Sequence, residues 1–198
     1  MEPVTLRTDR LLLRPLGPED AKALHAACQD PAIRRWTTVP DPYLPEHATS
    51  FVAEVAPGGW RENTAYNLGV FDQDGTLVGT VGLVTLALNE RRAEVGYWTA
   101  PEQRGRGYTV EAVRALAHWT FTALGVERLE WYAEVGNEAS RAVALKAGFT
   151  MEGVLRSRLA HRGTRRDAWG AALLPADLGL PTATPYLPAG GSSDKPSS

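Results

Sequence analysis

The sequence contains a single cysteine, Cys28, so no intrachain disulfide can form and no multi-cysteine metal site exists. That suits a reducing cytoplasm, and Cys28, set among small apolar residues in Ala26-Ala27-Cys28, reads as a buried structural thiol. No apolar run approaches the roughly 20 residues of a membrane span. The start, Met1-Glu2-Pro3-Val4-Thr5-Leu6-Arg7, lacks the charged-then-apolar pattern of a secretion signal. The expectation is a cytoplasmic protein with no membrane partner. Charge of one sign is also missing: 21 Lys and Arg against 23 Asp and Glu leave a net charge of −2, so no nucleic-acid partner is expected. His25, His47, His118 and His161 show no metal-ligand spacing, and no metal is expected. The absence of a Gly-x-Ser-x-Gly elbow disfavours a serine hydrolase.

What the chain does have is an ordinary globular composition, 43% hydrophobic and 22% charged over 198 residues, enough for one core and short for two. One domain is expected over residues 1–180, followed by a flexible Pro/Gly/Ser-rich tail over 181–198. Leu11, Leu12 and Leu13 mark a strand from Thr5 to Pro15, and Pro18, followed by Glu19 and Asp20, starts a helix to Cys28. Prolines break any regular pattern between Pro31 and Pro45, leaving a loop whose Trp36, Tyr43 and Leu44 could line a pocket. A helix over Glu46 to Val55 follows from the spacing of Phe51, Val52 and Val55, and Pro57-Gly58-Gly59 stops it. Tyr66 to Phe71, Leu77 to Leu86 and Ala93 to Trp98 carry strand chemistry and follow one another as an antiparallel meander. Beyond them come a long helix from Gly107 to Leu124, a strand from Arg128 to Val135 and a helix from Asn137 to Ala147. Phe149 to Ala160 and Asp167 to Leu174 form a final hairpin around residues 161 to 166. Strand, long helix and strand in succession imply one parallel pair in an otherwise antiparallel sheet. The fold class is therefore α/β (α+β), a mixed, mostly antiparallel sheet of about seven strands flanked by about four helices.

The chemistry concentrates where a strand gives way to the long helix, in Arg104-Gly105-Arg106-Gly107-Tyr108-Thr109. Unpaired N–H groups of a first helical turn form a ready site for an anion, and glycines let the main chain approach it closely. A diphosphate would fit; a glycine-rich solvent turn or a basic loop is the bland alternative. The loop is neither a Walker A motif nor a dinucleotide fingerprint. Asn137-Glu138-Ala139-Ser140-Arg141 lies at a second helix start, where Asn137 could be no more than a cap. If the strands ending at Trp98 and Val135 are neighbours, both helix starts face one crevice.

In order and spacing these segments resemble the GNAT superfamily of acetyltransferases, and within it the ribosomal-protein N-terminal (Rim-type) acetyltransferases. The resemblance spans most of residues 5 to 178: Leu6 to Pro15, Ala93-Glu94-Val95-Gly96-Tyr97-Trp98, Arg104 to Thr109, and Asn137 to Ser140 leading to Ala147-Gly148-Phe149. Arg104 and Gly107 meet the superfamily's Arg/Gln-x-x-Gly-x-Gly/Ala pattern, whereas Thr109 replaces its last small residue. The resemblance implies a single GNAT-like domain with its sheet splayed at the cofactor crevice, and acetyl-coenzyme A (acetyl-CoA) as cosubstrate. Its contacts would be Tyr97, Trp98, Thr99, Arg104, Gly105, Arg106, Gly107, Tyr108, Thr109, Asn137 and Ser140.

The implied reaction is attack of a primary amine on the thioester within a ternary complex. Glu94 is the candidate base, with an outward-facing glutamate or an ion pair with Arg91 or Arg92 as the structural alternative. Ser140 would serve the departing thiol, and a main-chain N–H near Tyr97 or Trp98 the oxyanion. The substrate side would be formed by Trp36, Tyr43 and Glu94. A protein N terminus is the first expectation for the acceptor; a small-molecule amine such as an antibiotic is the alternative, and a non-catalytic coenzyme A-binding module is a third reading. Asp41, Glu46, Glu94 and Glu134 could favour a cationic acceptor. The basic tip Arg162, Arg165 and Arg166 reads as a solvated turn or an RNA contact, and the aromatic loop offers a surface for a homodimer.

Overall fold

The single strand expected from Thr5 to Pro15 is a hairpin in the computed structural model, which describes residues 1–189. β1 (Leu6–Arg7) and β2 (Leu11–Arg14) pair antiparallel. Thr8, Asp9 and Arg10 turn the chain, and the Thr8 hydroxyl accepts from the Leu11 N–H at 3.0 Å. A short 3-10 turn, Pro18–Asp20, leads into α1 (Ala21–Ala27). Asp20 holds that start, accepting from the Gly17 N–H at 2.8 Å and pairing with Arg14 at 2.7 Å.

Two proline-bearing segments are more regular than their composition suggests. The stretch expected to be irregular from Pro31 begins with α2 (Pro31–Trp36). Pro31 occupies the first turn, where a missing N–H costs nothing, and the Asp30 carboxylate accepts from the Ile33 N–H at 2.8 Å. The expected stop at Pro57-Gly58-Gly59 is also overturned. α3 (Pro45–Ser50), a π-helical turn (Phe51–Val55) and α4 (Ala56–Glu62) form one unbroken rod. In the π turn the Ala56 N–H reaches back to the Phe51 carbonyl, so Pro57 enters as the first turn of α4 and needs no donor. Asn63 ends the rod in the left-handed region, at φ 54.

β3 (Tyr66–Asp72), β4 (Leu77–Ala87) and β5 (Arg92–Thr99) form the meander. α5 (Tyr108–Leu124) crosses over to β6 (Arg128–Glu134), and α6 (Glu138–Ala147) leads to the hairpin of β7 (Thr150–His161) and β8 (Thr164–Leu173). That hairpin is longer than expected because Arg162 and Gly163, at φ 49 and 73, complete the turn alone. The mixed sheet has eight strands in the order β1-β2-β3-β4-β5-β6-β8-β7, one more than expected because the first is split. Among the described residues only β5 and β6 are parallel.

Each face of the sheet carries a core. On one, Val113, Leu116 and Ala117 of α5 and Ala144 and Ala147 of α6 pack on Leu68, Val81, Val95 and Leu129. On the other, Leu24, Ile33, Ala48 and Val52 cover Phe71 and Leu77, and Cys28 is buried there, its thiol pushed up to about 12 by burial. Of the expected tail, residues 181 to 189 are exposed, and the Ala183 and Thr184 N–H groups donate to Glu127 at 3.0 and 2.8 Å. Residues 190 to 198 lie outside the described residues. No described helix is long and apolar enough to cross a membrane.

Candidate active site

β5 and β6 pair over three residues only, Arg92 with Arg128, Ala93 with Leu129 and Glu94 with Glu130, and then part. β5 stays bonded to β4 as far as Thr99, and β6 to β8 as far as Glu134. The opening therefore has two intact walls. The Ala100 N–H donates to Val78 at 2.8 Å. Antiparallel alternation then turns the main chain of Trp98 towards β4 and that of Val95, Tyr97 and Thr99 towards the opening. Of the two residues named from sequence as oxyanion donors, Tyr97 is the one whose N–H faces the gap.

At the end of β5 the chain bends through Gly105 and Gly107, at φ 78 and 77. A Cβ would meet nothing within 4 Å at Gly105 and only an Arg10 nitrogen at 3.7 Å at Gly107, so the space over the bend is open. Among the described residues, no main-chain N–H from 105 to 110 finds a protein acceptor. These donors, at the positive end of α5, match the oxygens of a diphosphate. The bend is braced from outside: Glu111 accepts from the Thr8 hydroxyl at 2.6 Å and Arg10 Nε at 2.7 Å, while Arg10 donates to the Arg106 carbonyl at 3.0 Å and covers the Tyr108 ring. The Arg104 side chain bonds Asp30 at 2.9 Å and is thereby turned towards α2. The Thr109 hydroxyl bonds that of Thr99.

A hydrogen-bond network lies across the opening on the α5/α6 face. Trp131 Nε1 donates to Ser140 Oγ at 3.2 Å, Ser140 Oγ donates to Tyr97 Oη at 3.3 Å, and Tyr97 Oη donates to the Ser140 carbonyl at 2.9 Å. Burial raises the Tyr97 phenol above its ordinary range, so it keeps its proton. Asn137 caps α6, its side-chain carbonyl accepting from the Ser140 N–H at 3.2 Å. The amide nitrogen of Asn137 is left as its donor end.

Glu94 stands on the opposite face, at the last paired position before the strands part. Strand alternation puts it beside Glu130, Tyr132 and Glu134. The two neighbouring carboxylates are committed: Glu130 to Arg92 and Arg128, both at 2.9 Å, and Glu134 to Arg35 at 2.7 Å. Glu94 forms no ion pair among the described residues; its contact is the Thr85 hydroxyl at 3.4 Å. Arg91 pairs instead with Glu127, and Arg92 with Glu90 and Glu130, which removes the ion-pair reading of Glu94. Burial raises its carboxyl above the usual range, only partly offset by the Arg158 charge and the Thr85 bond.

The remaining expected residues divide. Trp36 is at the rim, 37% exposed, under the Arg35 guanidinium and next to Gly136. Tyr43 is not at the opening: it is buried at 5% exposure in the second core, between His25 and His47. Trp98 packs against the same core. Asp41 and Glu134 are not free carboxylates, since Asp41 bonds Arg34 at 2.8 Å and Arg162 at 2.6 Å. Thr8, Arg10, Glu111 and Trp131 escaped the sequence reading because their partners are far along the chain; Glu111, acidic in the first turn of α5, carries the one local signal. Among the described residues no cluster of His, Cys, Asp or Glu is arranged to hold a metal ion.

Comparison with known proteins identifies the family. The acetyltransferase (GNAT) domain profile matches residues 10–150. An uncharacterized N-acetyltransferase of Bacillus subtilis, YoaA, is 34% identical over 82% of this chain and 92% of its own. The spermidine N(1)-acetyltransferase of Escherichia coli is 27% identical over 79% of this chain and 81% of its own. In structure, RimL, the ribosomal L7/L12 α-N-protein acetyltransferase in complex with coenzyme A, superposes with a TM-score of 0.77 at 21% identity, covering 86% of this chain and 98% of that one. With its profile, its close relative and its parted sheet in agreement, the chain belongs to the GNAT acetyltransferases and is an N-acetyltransferase.

Proposed function

We propose that the protein transfers an acetyl group from acetyl-CoA to a primary amine by direct attack in a ternary complex, with Glu94 as the base. The observation that carries this reading is the position of Glu94: half-buried, without an ion pair, and at the point where β5 and β6 separate. When bound, acetyl-CoA supplies an acyl thioester activated towards an amine. The open glycine bend and its free N–H groups fit the diphosphate, with Gly105, Arg106, Gly107, Tyr108 and Thr109 as the holding residues. Either hydroxyl of the Thr99–Thr109 pair can donate, and with Thr99 as donor the Thr109 proton is free for a phosphate oxygen. The Asn137 amide nitrogen donates along the pantetheine arm.

An amine enters as an ammonium, with a pKa of about 8 for an α-amine and about 10 for a lysine. Glu94, with its raised carboxyl, takes that proton directly or through water. The Tyr97 N–H faces the carbonyl oxygen that gains charge. Ser140 Oγ, oriented by Trp131 and in contact with Tyr97 Oη, is placed to hydrogen-bond the departing sulfur, and the proton that neutralises that sulfur is the second one the amine nitrogen sheds as it becomes the amide. The network and Glu94 lie on opposite faces of one opening, so donor and acceptor approach from different sides and neither must leave before the other binds. A protein N terminus is the acceptor class we favour: beside Glu94 the β7–β8 hairpin is tied to α2 and the segment after it, Arg162 bonding the Arg34 carbonyl and Asp41, which offers a fixed surface for a chain end.

Thiol release from acetyl-CoA with a panel of amines tests the reading. Glu94→Gln should lower kcat/KM by about 100-fold or more with acetyl-CoA affinity retained, and initial-rate plots should intersect. Parallel plots, or a Glu94→Gln variant at wild-type efficiency, would contradict it.

A further inference from the structure

Among the described residues, Arg158 of β7 acts on Glu94 by its charge and has no ion-pair partner. β7 breaks register with β8 between Leu155 and Leu159. Inside that break Ser157 takes φ 57, a left-handed conformation unusual for a serine. The distortion is held rather than loose: the Ser157 N–H donates to Asp167 at 2.8 Å and its carbonyl accepts from Arg165 at 3.3 Å. A bulge of this kind re-aims a side chain. Here it lays the Arg158 guanidinium over the Tyr132 ring, 4.4 Å from the centroid. Tyr132 follows Glu130 by two on β6, and Glu130 is the register partner of Glu94, so Arg158 and Glu94 overlook the same stretch of the opening.

The carboxylates around Glu94 are satisfied within the protein. Glu130, Glu134 and Asp41 are each bonded to arginine. Among the described residues Arg158 has no carboxylate partner within 4.0 Å, and neither has Arg156 or Arg165 of the same hairpin. An ammonium approaching Glu94 therefore passes a free guanidinium. A polyamine would bring further positive charge against it, whereas a carboxylate next to the amine would bond it.

We propose that Arg158 is a specificity determinant for the acceptor: it binds a carboxylate carried close to the amine that Glu94 deprotonates, so the preferred acceptor is an acidic N-terminal peptide or a free amino acid rather than a polyamine. This rests on the assignment of the opening as the transfer site. The ligand chemistry, amine plus nearby carboxylate, is common to both sources, and the test separates them.

Thiol release is measured with the full chain, acetyl-CoA and four acceptors: Ala-Asp-Ala-Ala-amide, Ala-Asn-Ala-Ala-amide, free aspartate and spermidine. The acidic peptide or aspartate should exceed both the neutral peptide and spermidine by about tenfold or more in kcat/KM; which of the two leads identifies the source. In Arg158→Gln the acidic-to-neutral ratio should fall towards one through KM, and Arg158→Lys should restore part of it. A purely structural role would lower both peptides together and leave the ratio intact. Equal or better turnover of spermidine, or an unchanged ratio in Arg158→Gln, overturns the proposal while leaving acetyl transfer standing. No release with any amine overturns both.

Discussion

Glu94 and Glu130 are register partners with opposite electrostatics, and that contrast makes the site testable residue by residue. For Glu94, burial outweighs the attraction of Arg158, and the carboxyl is raised. A group protonated more readily when folded contributes stability below its unfolded pKa and loses it as pH rises through the folded value. At neutral pH a charged Glu94 therefore costs stability. Glu94→Gln should leave Tm equal to or above wild type while activity collapses, and the acid limb of the wild-type kcat/KM profile should lie above the ordinary glutamate value of about 4.3. Glu130 is the reverse case: burial pushes it up, but bonds from Arg128 and Arg92 outweigh burial and hold it below its usual range. Its contribution is present above the unfolded pKa and is lost as pH falls through the folded one. Glu130→Gln should cost about 2 kcal/mol in denaturant unfolding at pH 7, with a gap that narrows in acid; a gap independent of pH would refute the sign. Glu94 was legible in the sequence because it precedes Val-Gly-Tyr-Trp in a strand leading to the glycine loop. The commitment of Asp41 and Glu134 to arginines was not, because Arg35 and Arg162 lie far from them in sequence and meet them only across the fold.

Among the elements, the first turn of α5 is where local sequence and tertiary bracing meet. Gly105 and Gly107 marked the bend from sequence alone, since positive φ is what glycine tolerates and other residues resist. What holds it is remote: the β1–β2 turn, through Thr8 and Arg10, clamps Glu111. Glu111→Ala should thus weaken acetyl-CoA binding several-fold without removing any atom from the site, and binding equal to wild type would show the brace to be idle. The prolines were misjudged for a related reason. Pro31 and Pro57 are breakers only in a helix interior, and whether a proline falls in a first turn depends on the Asp30 cap in one case and on the π turn in the other. The bulge at Ser157 left no periodic trace, because β7 is an edge strand with almost every residue exposed and so has no alternation to disrupt.

For the whole molecule, the decisive feature is a sheet that comes apart along one line. The meander, the parallel pair and the final hairpin followed from the succession of elements, whereas the place of β8 between β6 and β7 did not. Nor did the length of the pairing, since β5 and β6 part after three shared residues, a tertiary feature that no local pattern encodes. In our proposal those unpaired strands and the bend at their end form the cosubstrate site. The most direct measurement is a calorimetric titration of acetyl-CoA into the full chain at physiological salt, alongside Gly107→Val. In that variant a side chain at φ 77 costs roughly 1–2 kcal/mol of backbone strain and crowds the N–H groups. The account predicts one saturable site per chain in the wild type and a dissociation constant raised at least about tenfold in the variant. Absence of saturable heat in the wild type, or identical affinity in the two proteins, would contradict it.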